Sequence, residues 1–335
     1  MKPFAHADLA SCGISPDVLS ALTAKMKKDK ILGCMILRHG QIAYTYYKGP
    51  KVVNSVHHLH SATKSFVSAM VGICVSQGLI LNLNTPITEY FGPAFAKDDP
   101  RKQAITLYHL LTMSEGLCWP EFGEWNFFSP MEYSRDIIGF ILGREMEANP
   151  GERMNYNSGC SHLLSAVIQM VSGQKLIDFA QKHLFKPLGI TECTWYEKQK
   201  VNLGANGLNM KMEDMLKFGF LYLNNGTIDG NEIIPAGWVA ESTKPRLMTY
   251  PDIGAYAMHW WTSQLQEGTK EAVPYYFAMG LFGQFIIVVP KYDMVVVFVS
   301  ENYGETIRPM QYFREYIAMG VEGEGEVKRS YSAGL

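Results

Sequence analysis

The sequence predicts a mixed α/β (α+β) fold. One antiparallel sheet, flanked by N- and C-terminal helices, is built from both ends of the chain, and a mostly helical segment is inserted between them. Three observations predict this. Residues 31–47 hold two β-rich runs, residues 256–300 hold four more, and the stretch from about 79 to 224 reads as helices joined by loops. Strands at both ends with helices between are most simply paired into a single sheet. The expected division is 1–60 with 225–335 for the sheet and 61–224 for the helices, with the candidate site at their interface. At 335 residues and 47% hydrophobic content the chain can bury a substantial core, as one large domain or two interdigitated ones.

Taken in order, residues 14–28 form an amphipathic helix that starts near Ser15-Pro16. It ends in a basic last turn, Lys25, Lys27 and Lys28, which suits the helix dipole. The runs 31–38 and 41–47 flank His39-Gly40, a hairpin signal. Residues 67–75 are apolar on nearly every side, as expected of a helix buried in a large core, and Gln77-Gly78 stops it. Residues 105–113 are apolar at helical spacing after Thr106. Residues 116–128 form a loop with Trp119, Trp125, Phe127 and Phe128, read as the wall of a pocket rather than misplaced core. Helices follow at 137–142, 161–171, 176–184 and 212–223, and Pro150-Gly151 turns the chain into Met154-Asn155-Tyr156-Asn157-Ser158. After Asn224-Asn225-Gly226 come β runs at 256–263, 275–279, 285–289 and 294–300, the last two joined by Pro290-Lys291-Tyr292-Asp293. Residues 308–319 make a final helix.

Composition removes several classes of function. A net charge of −2, with no like-charge block beyond the short cluster at 25–30, argues against a polyanion-binding surface, so nucleic acid is not an expected partner. No apolar run is long enough to span a bilayer, and no membrane partner is expected. Leu9-Ala10-Ser11-Cys12 has the form of a lipoprotein cleavage site. Asp8, His6 and Pro3 precede it without an apolar stretch, so the match is read as accidental and the protein is expected in the cytoplasm. Cys12, Cys34, Cys74, Cys118, Cys160 and Cys193 lie far apart with no C-x-x-C pair, which suits reduced core thiols better than a disulfide framework or a zinc site. His57-His58-Leu59-His60 lacks further ligands at suitable spacing and reads as a polar lead-in to the helix. No metal or organic cofactor is expected.

The chemistry points to His60-Ser61-Ala62-Thr63-Lys64-Ser65-Phe66. Residues at i and i+3 share a helix face, so the Ser61 hydroxyl and the Lys64 amine come within hydrogen-bond reach. A serine is a weak nucleophile until a base takes its proton, and lysine is that base only if burial lowers its pKa. Ser61 at the helix start also places unpaired N–H groups where an acyl-transfer intermediate carries negative charge. The pattern alone is weak: about one Ser-x-x-Lys is expected by chance, and Ser172-Gly173-Gln174-Lys175 is a second copy. That copy looks structural, because Gly173 reads as a helix end and no apolar helix encloses Lys175.

Four further motifs occur in order. They are Ile105-Thr106-Leu107-Tyr108-His109-Leu110-Leu111-Thr112-Met113, Pro150-Gly151 followed by Tyr156-Asn157-Ser158, Pro187-Leu188-Gly189-Ile190, and Gly280-Leu281-Phe282-Gly283-Gln284. With Ser61-x-x-Lys64 they make the chain resemble the serine β-lactamase and penicillin-binding protein superfamily. The branch resembled includes class C β-lactamases, DD-peptidases, family VIII esterases and 6-aminohexanoate-dimer hydrolases. The resemblance covers nearly the whole chain and implies a β-lactamase/DD-peptidase-like fold. It also implies a serine hydrolase that forms an acyl-enzyme on Ser61, with Lys64 and Tyr156 sharing the general base and acid roles and either of them the resting base. Tyr156 matches the family's Tyr-x-Asn tyrosine. The Ser61 and Leu281 N–H groups are the expected oxyanion hole, and Ser158, Gly280, Trp119 and Gln284 the expected substrate-binding residues.

Two motifs depart from the family pattern. Ser158 stands where asparagine is more usual; it still reaches Lys64 but offers no amide to a substrate. Ala278-Met279-Gly280 stands where Lys-Thr-Gly or His-Thr-Gly is usual, so the side chains that grip a substrate carboxylate are missing unless Arg246 or Arg308 folds into that place. Both departures favour a small-molecule ester, amide or peptide-like substrate over a β-lactam. Glu115, Glu121 and Glu124, beside the aromatic loop, read as solvated surface or as partners for a substrate amine. The rival reading is a penicillin-binding or sensory protein, or a DD-peptidase-like enzyme, that is acylated but turns over slowly.

Overall fold

The structure is a computed structural model that describes residues 1, 3–7, 10–265 and 272–321. Its main sheet has eight antiparallel strands in the spatial order Leu247–Met248, Ala255–Tyr256, Trp261–Leu265, Val273–Gly280, Gln284–Val289, Met294–Ser300, Ile31–Arg38, Gln41–Tyr47. Both ends of the chain contribute to it. Ile31–Arg38 pairs with Met294–Ser300, setting Cys34 opposite Phe298 and Ile36 opposite Val296.

The central strands are apolar along most of their length because both faces are covered. Val295, Val297 and Val299 join one core with Phe66, Met70 and Leu216. Met294, Val296 and Phe298 join the other, with Leu19, Leu22 and Met26 of the helix Pro16–Lys28 and with Phe313 and Ile317 near the C-terminal end. Alternate side chains of a strand point to opposite faces, so a two-sided core requires an unbroken apolar run. Each fully buried residue of this kind stabilises the fold by roughly 1.5–3 kcal/mol.

The helix Thr63–Ser76 lies within the first core, buried from Thr63 to Cys74 and preceded by a short 3₁₀ turn, His60–Ala62. Phe66 stacks on Phe218 of the helix Met212–Leu223 with ring centroids 3.7 Å apart. That second helix lies directly on the sheet, where its Gly219 faces Val295 and Ile286. The helix Ser158–Ser172 packs beside the first, and its Asn157 cap accepts the Gly159 N–H at 2.7 Å.

Several elements differ from expectation. The β run at 256–263 is two strands, Ala255–Tyr256 and Trp261–Leu265, folded back at a turn where His259 takes a φ of +60°. The cause is tertiary. The His259 Nδ1–H donates to the Leu111 carbonyl (2.9 Å), Nε2 accepts from the Ser161 hydroxyl (2.9 Å), and the His259 carbonyl accepts from the Ser65 hydroxyl (2.7 Å). One buried residue thus ties the sheet to three helices, and burial pushes its pKa down to about 3, keeping the ring neutral.

The His57-His58 lead-in is a strand, Val56–His58, which pairs with Leu208–Lys211 and through it with Cys193–Trp195. The unforeseen helix Ala236–Thr243 puts Trp238 over Gly72, where any side chain would meet the indole at 2.5 Å. Of Leu9-Ala10-Ser11-Cys12, Leu9 lies outside the described residues and Cys12 is buried. Among the described residues no helix is long and apolar enough to cross a membrane.

Candidate active site

Ser61 sits in the 3₁₀ turn and Lys64 one turn later, at the start of the buried helix. The Lys64 Nζ lies 3.0 Å from the Ser61 hydroxyl, 3.1 Å from the Ser158 hydroxyl and 2.9 Å from the Ala205 carbonyl. Lys64 is 2% exposed, and this burial lowers its pKa to about 8, against the opposing pull of Glu121. The Ala205 loop reaches the lysine because Gly204 carries no side chain: a Cβ there would lie 2.0 Å from the Ser161 carbonyl. Backbone oxygens leave no mark in a sequence motif, so the Ala205 acceptor could not be foreseen.

Tyr156 is brought to the same place by two pinned asparagines. Asn155 donates to the Trp119 carbonyl (3.1 Å), and Asn157 donates to Glu115 (2.7 Å). The Tyr156 ring lies between Phe122 and Trp261, each centroid 5.6 Å away and nearly parallel, with the Lys64 Nζ 5.0 Å from the ring centre. Burial drives its phenol pKa well upward and Glu121 adds to this, while a hydrogen bond with the Ser61 hydroxyl works the other way. Tyr156 is therefore a neutral phenol at rest.

The strand end Val273–Gly280 closes the third side. A Cβ on Gly280 would stand 2.1 Å from the Leu59 carbonyl, so only glycine lets this strand approach the Ser61 turn, and Leu281 follows at once. Ala278 is buried and supplies no charge. Arg246 is ion-paired with Glu241, and Arg308 with Glu305. Each of the two cations considered as replacements for the missing one thus has a carboxylate of its own.

Two expected substrate residues have other partners. The Gln284 amide donates to the Ser300 carbonyl at 2.6 Å and holds the turn together. Trp119 is buried at 1% exposure and donates its indole N–H to Glu121 at 2.6 Å, while Trp125, at 87% exposure, stands in solvent. The second Ser-x-x-Lys is structural: Gly173 ends a helix at φ +66° and Lys175 is ion-paired with Glu197.

The three loop glutamates separate. Glu124 is exposed. Glu121 accepts from the Ser158 hydroxyl, the Ser158 N–H (3.1 Å) and Trp119. Glu115 is fully buried, with one oxygen on Asn157, and burial raises its pKa from 4.5 to about 7. Because the folded value lies above the unfolded one, the stability tied to Glu115 is complete below about pH 4.5 and is lost as pH rises through about 7. Glu115→Gln is expected to stabilise the protein at pH 8 by up to about 3 kcal/mol and to change little at pH 4.5. Urea unfolding of both proteins at the two pH values checks this. An equal difference at both would contradict it.

Against known proteins, residues 20–312 match the family model described as Beta-lactamase. The 6-aminohexanoate-dimer hydrolase of Paenarthrobacter ureafaciens is 22% identical over 79% of this chain and 71% of its own. The lovastatin esterase of Penicillium rubens is 27% identical over 53% of this chain, and the match spans 49% of that enzyme. A solved structure from Bacillus anthracis, provisionally named a 6-aminohexanoate-dimer hydrolase, shares the fold with a TM-score of 0.77 at 21% identity, covering 96% of this chain and 87% of that one.

Proposed function

The chain belongs to the beta-lactamase family, and from that membership we propose that it is a serine hydrolase acting on small esters or amides through an acyl-enzyme on Ser61. The observation that carries the reading is the Lys64 amine, buried, lowered to about pKa 8 and 3.0 Å from the Ser61 hydroxyl. Near pH 8 a large share of this lysine is neutral, while the Tyr156 phenol keeps its proton. Lys64 is therefore the resting base and Tyr156 the acid, titrating as a coupled pair.

In acylation, Lys64 takes the Ser61 proton as Oγ attacks the substrate carbonyl, and the Ser61 and Leu281 N–H groups receive the oxyanion. Tyr156 protonates the departing oxygen or nitrogen and is reprotonated from Lys64. Water then attacks the acyl carbonyl, giving its proton to the same pair, and Ser61 leaves with a proton. The exposed side chains of Phe122, stacked on Tyr156, and of Leu281, next to Gly280, favour an apolar substrate portion. The esterase and amide hydrolase among the relatives support the same substrate class. A cytoplasmic location is supported by the six free cysteines, four of them buried.

Substrate choice tests the reading. A β-lactam carboxylate ordinarily meets a cation or hydroxyl on the strand where Ala278 now stands, and such a charge-assisted hydrogen bond contributes about 1.5–3 kcal/mol. Its absence implies transition-state binding weaker by roughly 10- to 100-fold. Short-chain p-nitrophenyl esters are expected to exceed nitrocefin and penicillin G in kcat/KM by at least that factor. Nitrocefin turnover matching that of p-nitrophenyl butyrate would contradict the esterase-like reading.

A further inference from the structure

We propose that Glu121 is a positioning residue that fixes the direction of the hydrogen-bond chain ending at Ser61, and that the Glu121–Ser158 pair replaces the asparagine of the usual Tyr-x-Asn motif. The inference rests on the hydrolase reading above and deepens it.

The chain of donors and acceptors admits one direction. The Ser158 hydroxyl has one proton, and a carboxylate only accepts, so that proton is committed to Glu121. The contact of 3.1 Å between Lys64 and Ser158 is then an N–H donated by lysine, because Ser158 has no second proton to give. The Ala205 carbonyl, 2.9 Å away, takes a second N–H. A neutral amine has two N–H groups and one lone pair. With both N–H groups occupied, the lone pair faces the remaining neighbour, the Ser61 hydroxyl at 3.0 Å, which is the orientation a base requires.

Without the carboxylate, the Ser158 hydroxyl is free to rotate and donate into the lysine lone pair. The freed N–H then points at Ser61, and the base is blocked. Asparagine in place of Ser158 offers Lys64 an amide oxygen that cannot donate, so it needs no carboxylate behind it. A serine does need one. The second Glu121 oxygen is fixed by the Ser158 N–H and by the buried Trp119 indole. Trp119 thereby acts on the site through Glu121.

Other charges also bear on Lys64. Glu121 and Glu132 favour its ammonium form, and His60 and His259, which face it from the preceding turn and from the sheet, feel its charge in return, while burial keeps the neighbouring Cys160 a neutral thiol. Tyr156 covers it from the third side. Of the two carboxylates, Glu121 acts more strongly on the lysine. Its removal is therefore expected to move the acidic limb of kcat/KM to lower pH, even as the plateau falls.

The experiment is a double-mutant cycle of Glu121→Gln and Ser158→Asn on p-nitrophenyl butyrate, with pH profiles. With Ser158 in place, E121Q is expected to lower kcat about 10- to 100-fold with little change in KM, and to shift the acidic limb downward. Introduced on top of Ser158→Asn, the same change is expected to cost less than about threefold. Should the Ser158→Asn protein not fold, Ser158→Ala serves equally, since it too removes the hydroxyl that would block the amine. A loss from E121Q that is the same in every background, or that leaves the limb in place, would reduce Glu121 to a structural role and overturn the proposal. Fluorophosphonate labelling of Ser61 in the same preparations keeps the two readings apart. A labelled, fully active E121Q enzyme overturns this inference while leaving the hydrolase reading intact.

Discussion

Ser61→Ala is expected to abolish turnover of activated esters, with kcat falling by at least about 10⁴-fold while the protein keeps its fold and its unfolding midpoint. The size follows from the chemistry. Removing the nucleophile of a covalent hydrolase leaves only binding and oxyanion stabilisation, and losses of roughly 10⁴ to 10⁶ are typical of such changes. Stability is expected to change little because Ser61 gives up only its hydroxyl contacts, to Lys64 and Tyr156, and lies in a short turn rather than in the core. Steady-state kinetics and a urea melt on the same preparation check both halves. Residual activity above about 1% would mean that another group, such as the Tyr156 phenol, opens an alternative route.

Lys64→Arg is expected to cost about 10²- to 10⁴-fold in kcat, the range over which a positioned general base contributes. A guanidinium stays protonated and cannot receive the Ser61 proton. In the wild type, kcat/KM is expected to rise with pH through about 8, since burial makes the lysine lose its proton there instead of near 10.5. The arginine variant is expected to lose this limb along with its activity. The planar guanidinium also matches poorly the three groups that surround the amine, Ser61, Ser158 and Ala205, so a modest loss of stability accompanies the kinetic effect. An arginine variant with most of the wild-type kcat would remove Lys64 from the role of proton acceptor.

How much of this was legible in the sequence depended on the range of the interaction. The strands Ile31–Arg38 and Met294–Ser300 and the helix Met212–Leu223 fall where their patterning put them. Burial on one or two faces writes itself directly into residue type every second or every third to fourth position. The Ser61–Lys64 pair was legible for the same reason, both residues lying on one helix face. The His259 turn was not. The stretch Tyr256-Ala257-Met258-His259-Trp260-Trp261 reads as one strand, and what breaks it is a set of hydrogen bonds to helices about 100 to 200 positions away.

Glu121 was visible only as an acid in an aromatic loop. Its role depends on Ser158, 37 residues further on, and on Trp119 beneath it. The serine in place of asparagine was the one signal that could have led there, since a residue that both donates and accepts needs something to decide which it does. Gln284 is the opposite case. Its motif position suggested the substrate, but its amide completes the main-chain pairing at Ser300. Polar side chains near a site carry two possible uses, and only the acceptor actually within reach separates them.

The central claim is a covalent acyl-enzyme on Ser61. The most direct measurement is intact-protein and peptide mass spectrometry after treatment with a fluorophosphonate, with a parallel rapid acid quench of the enzyme turning over p-nitrophenyl butyrate. One adduct per chain is predicted in both experiments, each mapping to the peptide that contains Ser61 and each absent from Ser61→Ala. An adduct that survives Ser61→Ala, or one that maps to Ser172 or to any other residue, would contradict the account.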